Sequence, residues 1–380
     1  MPQGHIMRYL EKHIRKDIKK KMVILSGPRQ TGKTYLSKII VKNNGIYLNW
    51  DIKQDQKIIR EIAWPKDVTI VVLDELHKYL KWKSFLKGIV DEFQNKPNLL
   101  ITGSAKLELF RHEGDALTGR YYSYRLHPID LAESRSFLKG LSAETRVKRL
   151  LKAGGFPEAF LHPDQAERLR NDRFDLVVQE DLRDLNKTNS VRGMKLLIEL
   201  LRERAGKPLN YSNLALDIGV SPVTVKTWID ILEDLYIIFR IYPYSKGLAR
   251  SLRKEPKVYF YDCAAGYSND RGPIIENMVA CALLKYCHLL RDAYGKKLDL
   301  YYYKDKEKRE VDFVVISNRN VQWCIEVKSQ DDSLSPHIEY LSRKITPKES
   351  IQLVMDLQKP KERKKTKILP LVSWLDNLID

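Results

Sequence analysis

The segment Gly27-Pro-Arg-Gln-Thr-Gly-Lys33-Thr34 fits GxxxxGK(S/T), a spacing suited to holding the phosphates of a nucleotide. Gly27, Pro28, Arg29, Gln30, Thr31 and Gly32 would turn successive backbone N–H groups inward, and Lys33, Thr34 and Tyr35 would open a helix whose positive end adds to the cradle. Lys33 supplies a point charge to the β- and γ-phosphates, and the Thr34 hydroxyl supplies a ligand for Mg2+. Further on, Ile70-Val-Val-Leu73 ends in Asp74-Glu75, the Walker B arrangement. Asp74 is then the residue that holds the Mg2+ shell, and Glu75 the one that polarises an attacking water. The competing reading is a pair of surface acids capping the next helix. After Leu100-Ile101, Thr102 or Ser104 either senses the γ-phosphate or simply ends a strand. Arg120 is either the cation that neutralises transition-state charge, in this copy or from a neighbouring one, or a solvated arginine.

A second set of chemistry-bearing residues lies late in the chain. Arg309-Glu310-Val-Asp312-Phe-Val-Val315 alternates strictly, so Glu310 and Asp312 share one strand face, and Cys324-Ile-Glu326-Val-Lys328 repeats the pattern. Asp312 followed by Glu326-x-Lys328 resembles the active site of restriction-endonuclease-like nucleases. There the carboxylates hold one or two Mg2+ ions and the lysine orients or activates water. Exposed strands also alternate charged and apolar residues without any chemistry.

Between these sets, Pro208–Val220 and Ser221–Leu232 read as helix–turn–helix. Ser221 is the N-cap, Pro222 the first helical residue, and Val225, Ile229 and Leu232 the buried stripe. Tyr236–Tyr244 would supply a wing. Thr224, Lys226 and Thr227 would face a major groove if the module binds DNA. Alternatively the module packs within the protein and touches no nucleic acid.

The elements that must position these residues alternate. Apolar runs at Met22–Leu25, Ile46–Leu48, Thr69–Leu73 and Leu99–Ile101 are separated by helical sequence, which predicts an α/β core with a parallel sheet. Strand-like runs return at Val258–Tyr261, Leu298–Tyr303, Val311–Ile316 and Val321–Val327. The expected division is a P-loop core over 1–130, a helical extension over 131–186, a winged-helix segment over 187–258, an α/β nuclease-like domain over 259–358 and a basic tail over 359–380.

Several of these motifs together are similar to prokaryotic AAA-type ATPases whose second half is a conserved domain of unknown function. They are Gly27–Thr34, Leu73-Asp-Glu75, Thr102-Gly-Ser104, Leu117-Thr-Gly-Arg120, Gly154-Gly-Phe-Pro157, Tyr261-Asp-Cys263 and Ile275-Glu-Asn277. The resemblance covers about residues 20 to 330. It implies an ATP-binding core with a helical extension, a winged helix and a nuclease-like domain, and it adds Glu276 as an upstream acid for the Asp312–Glu326–Lys328 set.

Composition narrows the classes. The 380 residues are 43% hydrophobic and 31% charged, the range of a globular protein of two or three domains. No run reaches the ~18–20 uncharged apolar residues of a membrane span. Cys263, Cys281, Cys287 and Cys324 form no CxxC pair, which reads as reduced thiols in the cytoplasm. The net charge is +18, and it is uneven: residues 1–130 hold 24 basic against 14 acidic residues, 181–258 hold 14 against 9, and 259–380 hold 20 against 18. If DNA or RNA is a partner, residues 1–130 and 181–258 should hold it. The expected ligands are ATP, ADP and Mg2+, with a protein partner or a second copy of the chain as the other kind of partner. The rival functions are ATP hydrolysis, ATP-controlled cutting of nucleic acid, and a nucleotide-dependent switch or scaffold with an inactive nuclease-like domain.

Overall fold

In the computed structural model, which describes residues 6–42, 45–93, 96–103, 117–178, 191–245, 254–266 and 270–379, the chain forms two units. The first comprises residues 1–127 and 234–236. Its strands β1 (Met22–Ser26), β2 (Gly45–Asn49), β3 (Ile70–Asp74), β4 (Asn98–Thr102) and β5 (Tyr121–Arg125) form a parallel sheet in the order β2-β3-β4-β1-β5. β1, β3 and β4 are almost wholly apolar because the sheet is covered on both faces. On one face Ile24, Val71, Leu73 and Ile101 join Trp82, Leu86 and Ile89 of the Trp82–Phe93 helix in one core. The Lys33–Val41 helix packs against β2, β3 and β4 and buries Leu36 and Ile40. The four expected runs are β1 to β4. β5 escapes the pattern because Tyr121, Tyr122 and Ser123 are only half-buried at the sheet edge. Register sets Asp74 beside both Thr102 and Asn49, so polar residues collect at the carboxyl ends of the strands.

The second unit comprises residues 128–233 and 237–380. It begins with helices Leu131–Phe137, Ala143–Ala153, Pro157–Leu161 and Ala166–Leu176. The expected boundary at 186/187 lies outside the described residues. Helices Val191–Arg202, Tyr211–Ile218 and Pro222–Asp234 follow, and Ser221 Oγ accepts the Thr224 N–H at 3.1 Å, as an N-cap should. Val225, Ile229 and Leu232 are buried as expected, together with Trp228 and Ile231.

Then comes an eight-stranded mixed sheet, ordered β12-β13-β11-β10-β9-β8-β6-β7. Its strands are β6 (Ile238–Pro243), β7 (Lys257–Phe260), β8 (Leu298–Lys304), β9 (Glu310–Ser317), β10 (Asn320–Lys328), β11 (Glu349–Val354), β12 (Lys361–Arg363) and β13 (Thr366–Pro370). Two expected boundaries fail here. The 258/259 cut falls inside β7, and β6, expected as a wing, is an interior strand between β7 and β8. Residues 359–380 are not a tail: β13 pairs with β11 in parallel and with β12 antiparallel. The run misled because residues 358–365 are all exposed, and buried residues alternate with exposed ones only from Thr366 on. Thr366 and Ile368 point inward while Lys367 is exposed, and Lys364 and Lys365, both at positive φ, make the tight turn before β13. The closing helix Leu371–Asp376 is fixed by Asp376, whose carboxylate pairs with Arg146 at 2.9 Å.

Among the described residues one helix, Arg271–Tyr294, is long and apolar enough by length and composition to cross a membrane, although Glu276 and Lys285 interrupt its apolar run. It packs on β7, β8 and β10 and buries Met278, Val279, Ala282 and Leu283, which is the environment of a core helix. Its Lys285 is buried and bonds Glu133 at 2.6 Å and Asp130 at 3.1 Å.

Motif residues of this unit interlock. Asp262 accepts from Arg170 at 2.9 Å and from Arg173 at 2.5 Å, and a Cβ on Gly154 (φ 77°) would lie 1.8 Å from Asp262 Oδ1. Asn277 takes the Phe260 N–H at 2.8 Å and donates to its carbonyl at 3.0 Å.

Candidate nucleotide site and a lysine-centred carboxylate cluster

The Gly27–Gly32 loop leaves the end of β1 and enters the Lys33–Val41 helix through Gly32, whose left-handed conformation (φ 91°) starts the helix. Lys33 is buried, and its Nζ donates to Gly27 O at 2.9 Å and Pro28 O at 2.7 Å, bridging the loop. Thr31 is buried, its hydroxyl bonded to Pro28 O at 2.8 Å, whereas Thr34 and Tyr35 are exposed at the helix start.

Asp74, at the end of β3, gathers donors from three other elements and from its own neighbour Glu75. Its Oδ2 accepts from Thr34 Oγ1 at 2.9 Å and from Tyr47 OH at 2.5 Å. Its Oδ1 accepts from the Thr102 hydroxyl and from the Glu75 N–H at 3.1 Å. A hydroxyl and a carboxylate so close suit Mg2+, which takes one or two protein ligands and completes its shell with phosphate oxygens and water. Glu75 sits at positive φ, its carboxylate 3.4 Å from Lys78 and 3.7 Å from His77. Burial pushes the Glu75 carboxyl above its usual range despite Lys78. Burial, and then the bond to Asp74, likewise push the Tyr47 phenol far up.

The structure therefore brings Lys33, Thr34, Asp74, Glu75 and Thr102 to one end of the sheet. Ser104 lies outside the described residues. Arg120 is engaged elsewhere: its guanidinium pairs with Asp91 of the Trp82–Phe93 helix at 2.8 and 3.2 Å.

Two residues escaped the sequence reading. Tyr47 lies within an apolar run, on the same face of β2 as Asn49, which is level with Asp74. Arg8 precedes the motif by 19 positions, and its buried guanidinium donates to Thr31 O of the loop and to His127 O at 2.7 Å. Nothing in the spacing marks Arg8, which looks like one more member of the basic N-terminal stretch.

The late carboxylates also meet, though not as the sequence suggested. Glu276 from the Arg271–Tyr294 helix, Glu310 and Asp312 from β9 surround Lys257 of β7, with Nζ–O distances of 2.9, 2.7 and 3.6 Å. Tyr259 donates to Glu276 at 2.6 Å, and Lys304 pairs with Glu310 at 2.9 Å. Asp312 Oδ2 accepts the Val327 N–H at 2.9 Å. Glu326 pairs with Lys328 at 2.8 Å, and its buried Oε2 has no hydrogen-bond partner. Burial first, then the charge of Asp312, raise both Glu276 and Glu326 to about 7. Burial alone would lower Lys257, but Tyr259, Glu276, Asp312 and Glu310 together hold it well above its usual value. Lys257 is thus the residue the motif reading missed, since Pro256-Lys257-Val258 resembles no nuclease signature. Among the described residues, no group of three or more His, Cys, Asp or Glu side chains is arranged to hold a metal ion.

Family comparison fits this layout. A family described as an AAA domain matches residues 19–134, spanning the loop, β1 to β5 and Asp74. Residues 19–134 are thus similar to an AAA domain. Two domains of unknown function, DUF8612 and DUF4143, match residues 144–268 and 271–374. The AAA family implies nucleotide binding. An uncharacterized protein of Mycobacterium tuberculosis is 23% identical over 247 residues, covering 63% of this chain and 54% of that protein. This chain thus spans about half the length of its mycobacterial relative. One from Methanocaldococcus jannaschii is 24% identical over 377 residues, covering 84% of this chain and 77% of that protein. Among solved structures, Aeropyrum pernix Orc1 in complex with DNA aligns with a TM-score of 0.35 at 13% identity, covering 74% of this chain and 95% of that one. Thermotoga maritima RuvB aligns with a TM-score of 0.32 at 18% identity, covering 63% and 90%.

Proposed function

We propose that the AAA domain binds ATP with Mg2+ and hydrolyses it to ADP and phosphate. The observation that carries this reading is the convergence of the Thr34 and Thr102 hydroxyls on Asp74, at the mouth of the loop that Lys33 bridges. Backbone N–H groups of Gly27 to Lys33 would receive the phosphates, with Pro28, Arg29, Gln30 and Thr31 forming the loop and Tyr35 following it. The Lys33 ammonium, now held by two carbonyls, would move to the stronger phosphate acceptors. Thr34 and Asp74 would hold Mg2+, whose chemistry is to neutralise charge on the phosphates. Glu75 would orient the attacking water and accept its proton. Arg120 would first have to leave Asp91 to act on the transferring phosphate. Equal release of ADP and phosphate, lost in Lys33→Ala, is the expected result, and unchanged turnover in that variant would refute the assignment.

The order helix, β8, β9, β10, helix, β11 supports a nuclease-like fold for residues from 271 onward, and the helix pair Tyr211–Ile218 and Pro222–Asp234 supports a winged-helix relative before it. Lys257 among the carboxylates favours the second reading, in which this unit does not cut nucleic acid and the protein is a cytoplasmic, nucleotide-dependent switch for a protein partner or a second copy. Thr224 and Thr227 spend their hydroxyls on Ser221 and Val223, which leaves exposed Lys226 as the cation of that helix able to meet DNA or RNA. Cleavage with Mg2+ or Mn2+ that vanishes in Asp312→Ala would overturn the switch reading. Loss of nucleic-acid binding on neutralising Lys12–Lys21 and Lys226 would establish nucleic acid as the partner.

A further inference from the structure

Lys257 lies at the centre of its cluster. It is 2% exposed, and its ammonium makes ionic contacts with three carboxylates from two other elements. The Tyr302 ring lies 5.6 Å from Nζ on a further side. Its backbone is fixed as firmly: β7 pairs with β6 at Ile241–Lys257, and Pro208 bridges Lys257 from outside the named strands. The side chain is therefore built into the site and has no solvent to swing into.

A divalent ion bound by Glu276, Glu310 and Asp312 would place its carboxylate oxygens at about 2.0–2.6 Å. Those same oxygens already lie 2.7–3.6 Å from Nζ. An ammonium and a dication cannot share so small a space, since their repulsion is strongest in a low-dielectric interior.

We propose that this is a cation site whose cation is the protein's own: Lys257 fills the position at which Glu276, Glu310 and Asp312 would otherwise hold a divalent metal, and metal enters only when the lysine is removed. The ammonium also ties together segments that belong to separate families, since Lys257 lies in the 144–268 match and its carboxylates lie in the 271–374 match. The inference does not depend on ATP hydrolysis.

Mn2+ binding by electron paramagnetic resonance tests it, using the full chain without nucleotide and with Asp74→Asn to silence the loop site. With Lys257 present, titration to about 1 mM Mn2+ should reveal no binding that Asp312→Asn abolishes. Lys257→Met should gain one Mn2+ equivalent, at least about tenfold tighter, and lose it again when Asp312→Asn is added. Lys257→Arg should gain none. Asp312-dependent Mn2+ binding in the lysine-bearing protein would overturn the proposal, as would a folded Lys257→Met variant that gains nothing. Should Lys257→Met fail to give a cooperative melt, the lysine-bearing pair with and without Asp312→Asn still decides the matter.

Discussion

The Thr34 hydroxyl donates to Asp74 Oδ2 at 2.9 Å, joining the first turn of one helix to the end of a strand two positions across the sheet. Asp74 is in turn held by Tyr47, Thr102 and the Glu75 N–H, so its carboxylate is oriented before any nucleotide arrives. Asp74→Asn keeps the shape but turns one acceptor into a donor facing Thr34 or Tyr47. ATP turnover should fall by about 10²-fold or more, with the loss largest at low Mg2+. Steady-state phosphate release across a Mg2+ series checks this.

Arg8 gives a second prediction. By holding Thr31 O, it fixes the Thr31–Gly32 peptide, whose Gly32 N–H lies on the edge opposite that carbonyl. Arg8→Ala leaves two carbonyls without a charged donor, a loss of about 1.5–3 kcal/mol. ATP affinity by calorimetry should fall by about tenfold or more, while Arg120→Ala leaves binding unchanged.

Glu276 and Glu326 predict a pH dependence. Both carboxyls stand at about 7 in the folded chain against the ordinary 4.5, so the folded state holds more protons than the unfolded one between these values. Their contribution to stability is then fully present below about 4.5 and is lost as pH rises through about 7. Asp312, Glu310, Lys257 and Tyr259 face the same cluster, and Glu276→Gln removes one of the two titrations. The melting temperature of the second unit should fall between pH 5 and 8, by about 2–4 °C per kcal/mol lost, and Glu276→Gln should flatten that fall. A parallel decline in both proteins would contradict the assignment.

Gly154 and Asp262 give a stability test away from either site. Gly154→Ala drives a methyl into a buried carboxylate that neutralises Arg170 and Arg173, and breaking such a buried network costs about 3–5 kcal/mol. Asp262→Ala should cost as much, and the double variant little more than either alone, since both act on one network. Urea unfolding measures all three.

Local patterns marked much of this architecture. Gly27–Thr34 and Leu73–Glu75 identified both the strands and the residues at their ends, because loop chemistry and buried strands leave short, contiguous signatures. Val311–Ile316 and Val321–Val327 did the same for β9 and β10. What stayed hidden were partners brought in from a distance. Arg8, Tyr47 and Lys257 each act on residues many positions away, and each sits in a stretch whose own pattern reads as something ordinary. The misread tail has a different cause: the exposed lysines at 359, 361, 364 and 365 dominate its composition, while burial begins only with Thr366 and Ile368.

A practical consequence follows from where Lys257 sits. Composition invites a fragment cut just after it, at 259, and such a piece would retain Glu276, Glu310 and Asp312 while discarding the ammonium between them. Three carboxylates left facing one another would recruit whatever cation the buffer offers. Any metal requirement measured on that fragment would be a property made by the scissors, and only a piece that keeps the whole of β7 can report on the protein itself.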